Sequence, residues 1–281
     1  MTRHIRLGEY LVGVEGIALM RHIFEDDALA AKRIEEVRHI VLGGDGVYQL
    51  GVDVPIVDSR SGYERWSQTY DDAGNPLIEV EQPVVWSIFE TLEPGAALDA
   101  ACGSGRHARR LAELDHQVVG VDSSPDMLEK ARASLPQAAF HEGELAALPL
   151  DSASFDVVVC ALALEHVLDL NSAVAELSRV LRPGGRMVLS DLHPAAVTLG
   201  GAAFFQDAQG GAGVVRGFDH LHSDYMSAFR EVGLVVRQCL EPRFGPSEAA
   251  MQGLASQFIP DAAAAAYIGV PGALIWDLVR H

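Results

Sequence analysis

The stretch A-L-D-A-A-C-G-S-G-R-H-A-R-R-L, residues 97–111, decides how the rest of the chain is read. An apolar run closes on Asp99, glycines follow at Gly103 and Gly105, and Ala108, Leu111, Ala112 and Leu114 then recur at helical spacing. This is the pattern of a strand, a tight turn and a helix. Glycine has no Cβ and adopts positive φ readily, so such a turn brings backbone close to a ligand. The helix that starts there offers unpaired N–H groups to negative charge.

Outward from that turn, strand and helix patterns alternate as far as residue 192. Strands are expected at 97–101, 117–122, 138–142, 155–161 and 186–191, with helices at 106–114, 125–135 and 172–181 between them. Ser124 and Pro125 suit the cap and first turn of the second helix. The V-V-V-C run at 157–160 is continuous, as in a strand buried on both faces. Strands separated by helices of this length imply βαβ units and a parallel sheet, hence an α/β, doubly wound fold.

The flanks are read from the same signals. Residues 9–23 and 26–42 are expected as helices, the second capped by Asp26 or Asp27 and ended by Gly43, Gly44, Asp45 and Gly46. An alternating run follows from Val47 to Val57. Tyr63, Trp66 and Tyr70 share helical spacing, 71–76 is a turn cluster, and Val84, Val85, Ile88, Phe89 and Leu92 mark an amphipathic helix stopped at Pro94 and Gly95. Beyond 192, glycine-rich 194–221 predicts a hairpin or flap, Ser223 the cap of a helix over 224–232, then a strand at 234–240, helix over 246–269 and a last strand at 272–280. The expected division is an N-terminal helical extension over 1–60, as cap, lid or dimerisation arm, and one domain over 61–281. Within that domain, 194–221 forms a flap and 242–271 a helical insertion covering the substrate site.

The 281 residues hold 21 Lys and Arg against 39 Asp and Glu, a formal charge of −18. That balance opposes nucleic-acid binding and an anionic membrane surface. Arg3, Arg6, Glu9 and Glu15 interrupt the N-terminus and no eighteen-residue apolar run exists, so neither a signal peptide nor a membrane span is expected. Cys102, Cys160 and Cys239 have no zinc or disulfide spacing, which fits a reducing, cytoplasmic compartment.

Gly103 to Ala108 also satisfies G-x-G-x-x-A, a dinucleotide fingerprint. A carboxylate at Asp99, at the mouth of the preceding strand, would repel a pyrophosphate and suit an ammonium group. S-adenosylmethionine carries that ammonium, a carboxylate for the helix N-terminus and a ribose diol for Asp122 at the end of 117–122. An NAD(P)-dependent oxidoreductase is the rival reading, and a protein that binds S-adenosylmethionine without transferring its methyl group is another.

Four ordered motifs sharpen this. L-D-A-A-C-G-S-G-R-H at 98–107, V-V-G-V-D-S-S-P-D-M-L at 118–128, the run from Glu142 to Cys160 and L-S-R-V-L-R-P-G-G-R-M-V-L-S-D at 177–191 resemble the class I S-adenosylmethionine-dependent methyltransferases, of the small-molecule, ubiquinone/menaquinone-biosynthesis-like kind. The resemblance implies a Rossmann-like sheet of seven mostly parallel strands with an antiparallel last strand, supplied by 272–280. It implies that Gly103 and Gly105 cradle the methionine part, with Asp99 and Ala101 on its amino side. Asp122 would bind the ribose, and Ser123 and Met127 line the adenine slot. Glu144 stands where the family usually has Asp facing the adenine amino group, and the backbone of Leu145 serves the same end. Ala161 and Leu162 would close the site near the sulfonium, with Tyr63 and Tyr70 over the cofactor. The product is S-adenosylhomocysteine.

The acceptor is expected to be a small, apolar or aromatic molecule, with O-, N- and C-methylation all open; a homodimer is also open. Phe204, Phe205, Phe218, Tyr225 and Met226 are candidates for an acceptor pocket roofed by the flap. His193 and His222 are the candidates for catalysis or substrate binding, near Asp191 at the carboxyl edge of the sheet. His107 and His166 lie nearer the cofactor, His166 as a packing residue under a strand-end loop. The spacing of Asp191, His193, His220 and His222 is not diagnostic of a metal site, and no metal is expected.

Overall fold

The computed structural model describes residues 1–281 apart from Gly44, Asp45 and Ala73. The Gly44-Asp45 end expected for the second helix, and Ala73 in the 71–76 turn, therefore lie outside the described residues. The strands in chain order are β1 (Thr2–Arg6), β2 (Gly51–Val57), β3 (Ala96–Ala100), β4 (Gln117–Asp122), β5 (Ala139–Glu142), β6 (Phe155–Ala161), β7 (Leu181–Leu192), β8 (Ala203–Gln206), β9 (Ala212–Val215), β10 (Leu234–Leu240) and β11 (Ala273–Arg280).

Seven of them form one sheet in the order β10-β11-β7-β6-β3-β4-β5. From β7 to β5 all neighbours run parallel, and β11 is antiparallel to both β7 and β10. This is the α/β architecture expected from the sequence, including the reversed last strand. Apolar side chains cover both faces. Leu170, Val174 and Leu177 of the helix Leu170–Val180 pack on one face with Tyr225 and Phe229 of the helix His222–Glu231. The other face is covered by Val85 and Phe89 of the helix Pro76–Phe89, Leu111 of the helix Arg106–Glu113 and Leu128 of the helix Pro125–Ser134. Asp26, Asn75 and Ser124 cap their helices through side-chain oxygens, as their residue types dictate.

On that second face a buried carboxylate joins three elements. Glu81 accepts from Arg106 Nη1 at 2.9 Å and from Ser190 Oγ at 2.6 Å, and lies 3.3 Å from His107 Nε2. Burial pushes its carboxyl upward, but His107 and Arg106 outweigh burial and hold it well below the ordinary range. Arg106 directly follows the glycine turn, so the helix Pro76–Phe89 is tied to that turn and to β7 at once.

The N-terminal region departs from the expected helical extension. Its helices Leu7–His22 and Asp27–Val41 are present, but β1 and β2 join β9 and β8 in a second sheet, ordered β1-β2-β9-β8. Of the alternating run 47–57, Val47–Gln49 is a 3-10 turn that leads into Gly51–Val57, which is a strand. Its partner is the flap hairpin, with Val57 paired to Val215. The segment 242–271 is three short helices, Pro246–Ala250, Gly253–Phe258 and Pro260–Tyr267, broken by Gly253 and Pro260. Ala255, Ile259 and Ala263 pack against Leu11, Val14 and Ile40 of the N-terminal helices. Ser223 is not a cap: the helix starts at His222, and Asp224 accepts from Leu221 N–H at 2.8 Å.

Candidate active site

A cavity opens at the carboxyl ends of β3, β4 and β6, where ligands of open α/β sheets bind. Its wall holds Ala101, Gly103, Asp122, Ser123, Met127, Glu144, Leu145, Ala161 and Leu162, with Tyr63 and Tyr70 over it. Ser59, Gly143, Ala146, Ala163 and Val167 complete the wall with His166, and of these sequence reasoning singled out only His166 as lying near the cofactor.

Asp122 ends β4 and faces the cavity. Its Oδ2 accepts from Gly103 N–H and its Oδ1 from Ser124 N–H, both at 2.8 Å. Those bonds aim the carboxylate and leave lone pairs free for ligand hydroxyls. They also occupy one of the glycine-turn N–H groups that a phosphate would need. Burial raises the Asp122 carboxyl above its ordinary range, partly offset by these N–H donors. The backbone is left-handed at Ala101 (φ 56°) and Leu162 (φ 53°), two cavity-wall positions just past strand ends. Non-glycine residues adopt this region rarely, and such strain gathers where a wall must be shaped.

Two expected cofactor residues lie elsewhere. Asp99 is buried behind the turn, and its Oδ2 accepts from Ala108 N–H at 2.8 Å. It fixes the first turn of the helix Arg106–Glu113 against β3 and so shapes the loop from behind. Gly105 (φ 85°) starts that helix, and a Cβ there would stand 3.4 Å from Ala131 and Ser134, so it serves turn geometry and the approach of the next helix.

Burial pushes the Asp99 carboxyl up to about 7. An acid held above its unfolded pKa of about 3.9 binds its proton more tightly when folded, so its contribution to stability falls as pH rises from about 4 to about 7. Asp99→Asn removes this titration and keeps an acceptor for Ala108. The expected result is a smaller loss of stability between pH 5 and pH 8 than in the unmodified protein, read by urea denaturation at both values. An unchanged difference would show that Asp99 does not titrate in this window.

The lid is aromatic. Tyr63 stacks on Trp66 of the helix Ser59–Trp66 with centroids 5.6 Å apart, and Tyr70 meets Trp66 edge-on at 5.2 Å. Burial raises both tyrosine hydroxyls, Tyr70 to about 12, so both keep their protons. Asp71 accepts from Ser104 Oγ at 2.6 Å and from Lys130 Nζ at 3.1 Å, which fastens the lid across the glycine turn. On the opposite side, Tyr63 Oη lies 3.1 Å from His166 Nε2, and His166 Nδ1 lies 2.8 Å from the Arg216 carbonyl.

The expected acceptor pocket is not assembled. Phe205 is buried against Trp66, Phe204 and Met226 are exposed, and Tyr225 is buried with its hydroxyl on Asp191 Oδ2. Neither they nor Phe218 stand on the cavity wall. His220 bonds the Val167 carbonyl, and His107 belongs to the Glu81 cluster.

His193 and His222 also lie off the wall. Their Nε2 atoms approach Glu241 Oε1 at 3.0 and 2.8 Å, and these bonds hold the Glu241 carboxyl below its ordinary range. The three possible ligand atoms lie within 4.8 Å of one another, close enough to surround a cation. However, His193 Nδ1 accepts from Ala195 N–H at 3.0 Å. A neutral ring must then carry its proton on Nε2, pointing at Glu241, where a metal would need a lone pair. The cluster is a hydrogen-bonded triad.

Residues 98–189 match the protein family described as "Methyltransferase domain". A demethylmenaquinone methyltransferase of Deinococcus radiodurans is 43% identical over 117 residues, 40% of this chain and 48% of that protein. The chain spans about half the length of this relative, and a match to a Staphylococcus epidermidis protein named likewise covers 56% of it. Among solved structures, an S-adenosylmethionine-dependent methyltransferase from Mesorhizobium loti superposes with a TM-score of 0.56 at 23% identity, covering 72% of this chain and 98% of that one. Magnesium protoporphyrin IX methyltransferase of Synechocystis with bound SAM gives 0.53 at 19%, covering 79% and 92%. At those identities the solved structures speak for the fold, and the family match speaks for the segment that builds the cavity. Residues 98–189 thus match the methyltransferase-domain family, and the chain shares the fold of solved S-adenosylmethionine-dependent methyltransferases.

Proposed function

We propose that the cavity binds S-adenosylmethionine and that the chain transfers its methyl group to a small, apolar or aromatic acceptor. Asp122 carries the reading. A carboxylate at the end of β4, with both oxygens oriented by backbone N–H groups, matches a ribose diol. Ser123, Met127, Glu144 and Leu145 adjoin it as an adenine slot, and Ala101 and Gly103 adjoin it on the methionine side. Nothing on the wall favours the oxidoreductase alternative. The name of the Deinococcus relative supports an aromatic, apolar acceptor. Three free cysteines, two of them buried, support a cytoplasmic setting, and among the described residues no helix is long and apolar enough to cross a membrane.

Thermal denaturation with ligand tests this. At about a hundredfold excess over its Kd, S-adenosylhomocysteine stabilises by about 2.7 kcal/mol. The expected rise in Tm is roughly 5–10 °C for a chain of this size. NADH should leave Tm unchanged, and the reverse pattern would overturn the reading.

A further inference from the structure

We propose that His166 is the general base of the transfer and that the acceptor presents a weakly acidic hydroxyl to its Nε2. The proposal rests on the cofactor reading above and adds the acceptor class to it. His166 follows the strand end that supplies Ala161, Leu162 and Ala163 to the wall, and is itself a residue of the same wall.

The tautomer follows from its partners. A carbonyl only accepts, so the Nδ1 atom, 2.8 Å from the Arg216 carbonyl, carries the ring proton. In a neutral ring Nε2 is then a lone pair, and Tyr63 Oη, 3.1 Å away, donates to it. Burial lowers the pKa of the ring and keeps it neutral, the state a base requires. This is the arrangement of an imidazole held by one nitrogen so that the other can take a proton. Tyr63 Oη marks where an acceptor hydroxyl would stand.

The rest of the wall narrows the acceptor. Among the described residues no lysine or arginine lines the cavity, so a carboxylate acceptor would find no counter-charge. Tyr63 and Tyr70 hold their protons. Asp122 and Glu144 belong to the nucleoside side. His166 is the remaining group able to accept a proton, and a phenol or enol needs one to do so. In the step, an oxygen lone pair of the acceptor attacks the sulfonium methyl carbon and the C–O bond forms. The C–S bond breaks with its electron pair going to sulfur, which leaves neutral S-adenosylhomocysteine. The hydroxyl proton passes to His166 Nε2.

Two measurements test this. The first is the ring tautomer by nitrogen NMR of histidine-labelled protein saturated with S-adenosylhomocysteine, the His166 signals being assigned by their shift in Tyr63→Phe. A proton on Nδ1 and a neutral ring at pH 7 are expected; a proton on Nε2, or a charged ring, overturns the proposal. The second is radiolabelled methyl transfer to 1-naphthol, 1-naphthoate and 1-naphthylamine. Transfer to the naphthol is expected, with kcat falling by about 10²- to 10⁴-fold in His166→Gln. S-adenosylhomocysteine affinity should stay within about threefold of its starting value, because the residue lies outside the nucleoside slot. Imidazole should restore part of the turnover in His166→Gly, which a merely structural histidine would not allow. Undiminished kcat in His166→Gln, or preference for the carboxylate or amine, overturns the assignment. Failure of the unmodified protein to bind S-adenosylhomocysteine would instead defeat the cofactor reading.

Discussion

Asp122→Ala is expected to lower S-adenosylhomocysteine affinity by two to three orders of magnitude. Hydrogen bonds to a charged partner contribute about 1.5–3 kcal/mol each and a ribose diol makes two, so at the lower end of that range, for a solvent-accessible site, roughly 3–4 kcal/mol is removed. The substitution also frees the Gly103 and Ser124 N–H groups, which loosens the turn that shapes the methionine end. Asp122→Asn keeps two acceptor lone pairs and should fall between the two. Calorimetric titration reads this directly, with NADH as the control ligand. Retained affinity in Asp122→Ala would remove the ribose assignment, whatever the enzyme's activity.

Glu81→Ala should have the largest effect on stability, about 3–5 kcal/mol, because deleting one member of a buried charge cluster leaves its partners uncompensated. Arg106 would be left with Gln82 and Ser190 would lose its acceptor. At about 2–4 °C per kcal/mol for a chain of this size, Tm should fall by roughly 6–20 °C. Glu81→Gln keeps an acceptor for Ser190 and loses the charge, so it separates the hydrogen bond from the ion pair. A fall of less than about 2 °C in Glu81→Ala would mean that the cluster contributes little. Ligand binding should also weaken, since Arg106 opens the helix that follows the glycine turn.

Much of the sheet is legible in the residues because its signals are local and strong. The bounds Gln117–Asp122, Phe155–Ala161 and Leu234–Leu240 coincide with those expected from hydrophobic runs and turn residues. Asp26, a side chain that competes for backbone N–H groups, identifies its own helix start. Asp99 was harder to read. In a strand buried on both faces the sequence position does not say which face a side chain takes, and here it turns toward Ala108 and away from the cavity. The side sheet was illegible for a different reason. β1 is exposed throughout and β8 and β9 have four residues each, so the period-two signal is short, and the pairing of Val57 with Val215 is remote. Small wall residues such as Gly143, Ala146 and Ala163 carry no chemical signal of their own. His166 was visible as a ring near the cofactor, but its role depends on Arg216 and Tyr63, which only the folded chain brings to it.

The side sheet also bears on the order of assembly. β2 has one neighbour early in the chain, β1, and its other, β9, arrives only after most of the main sheet's strands have been made. Contacts between such distant segments close late, because loop entropy must be offset first. During synthesis β2 therefore waits with one edge unpaired, an opening for association with other chains. Slow pairing of the hairpin at 203–215, which also completes the setting of Trp66 beneath the lid, would then mark the last step by which the cavity acquires its roof.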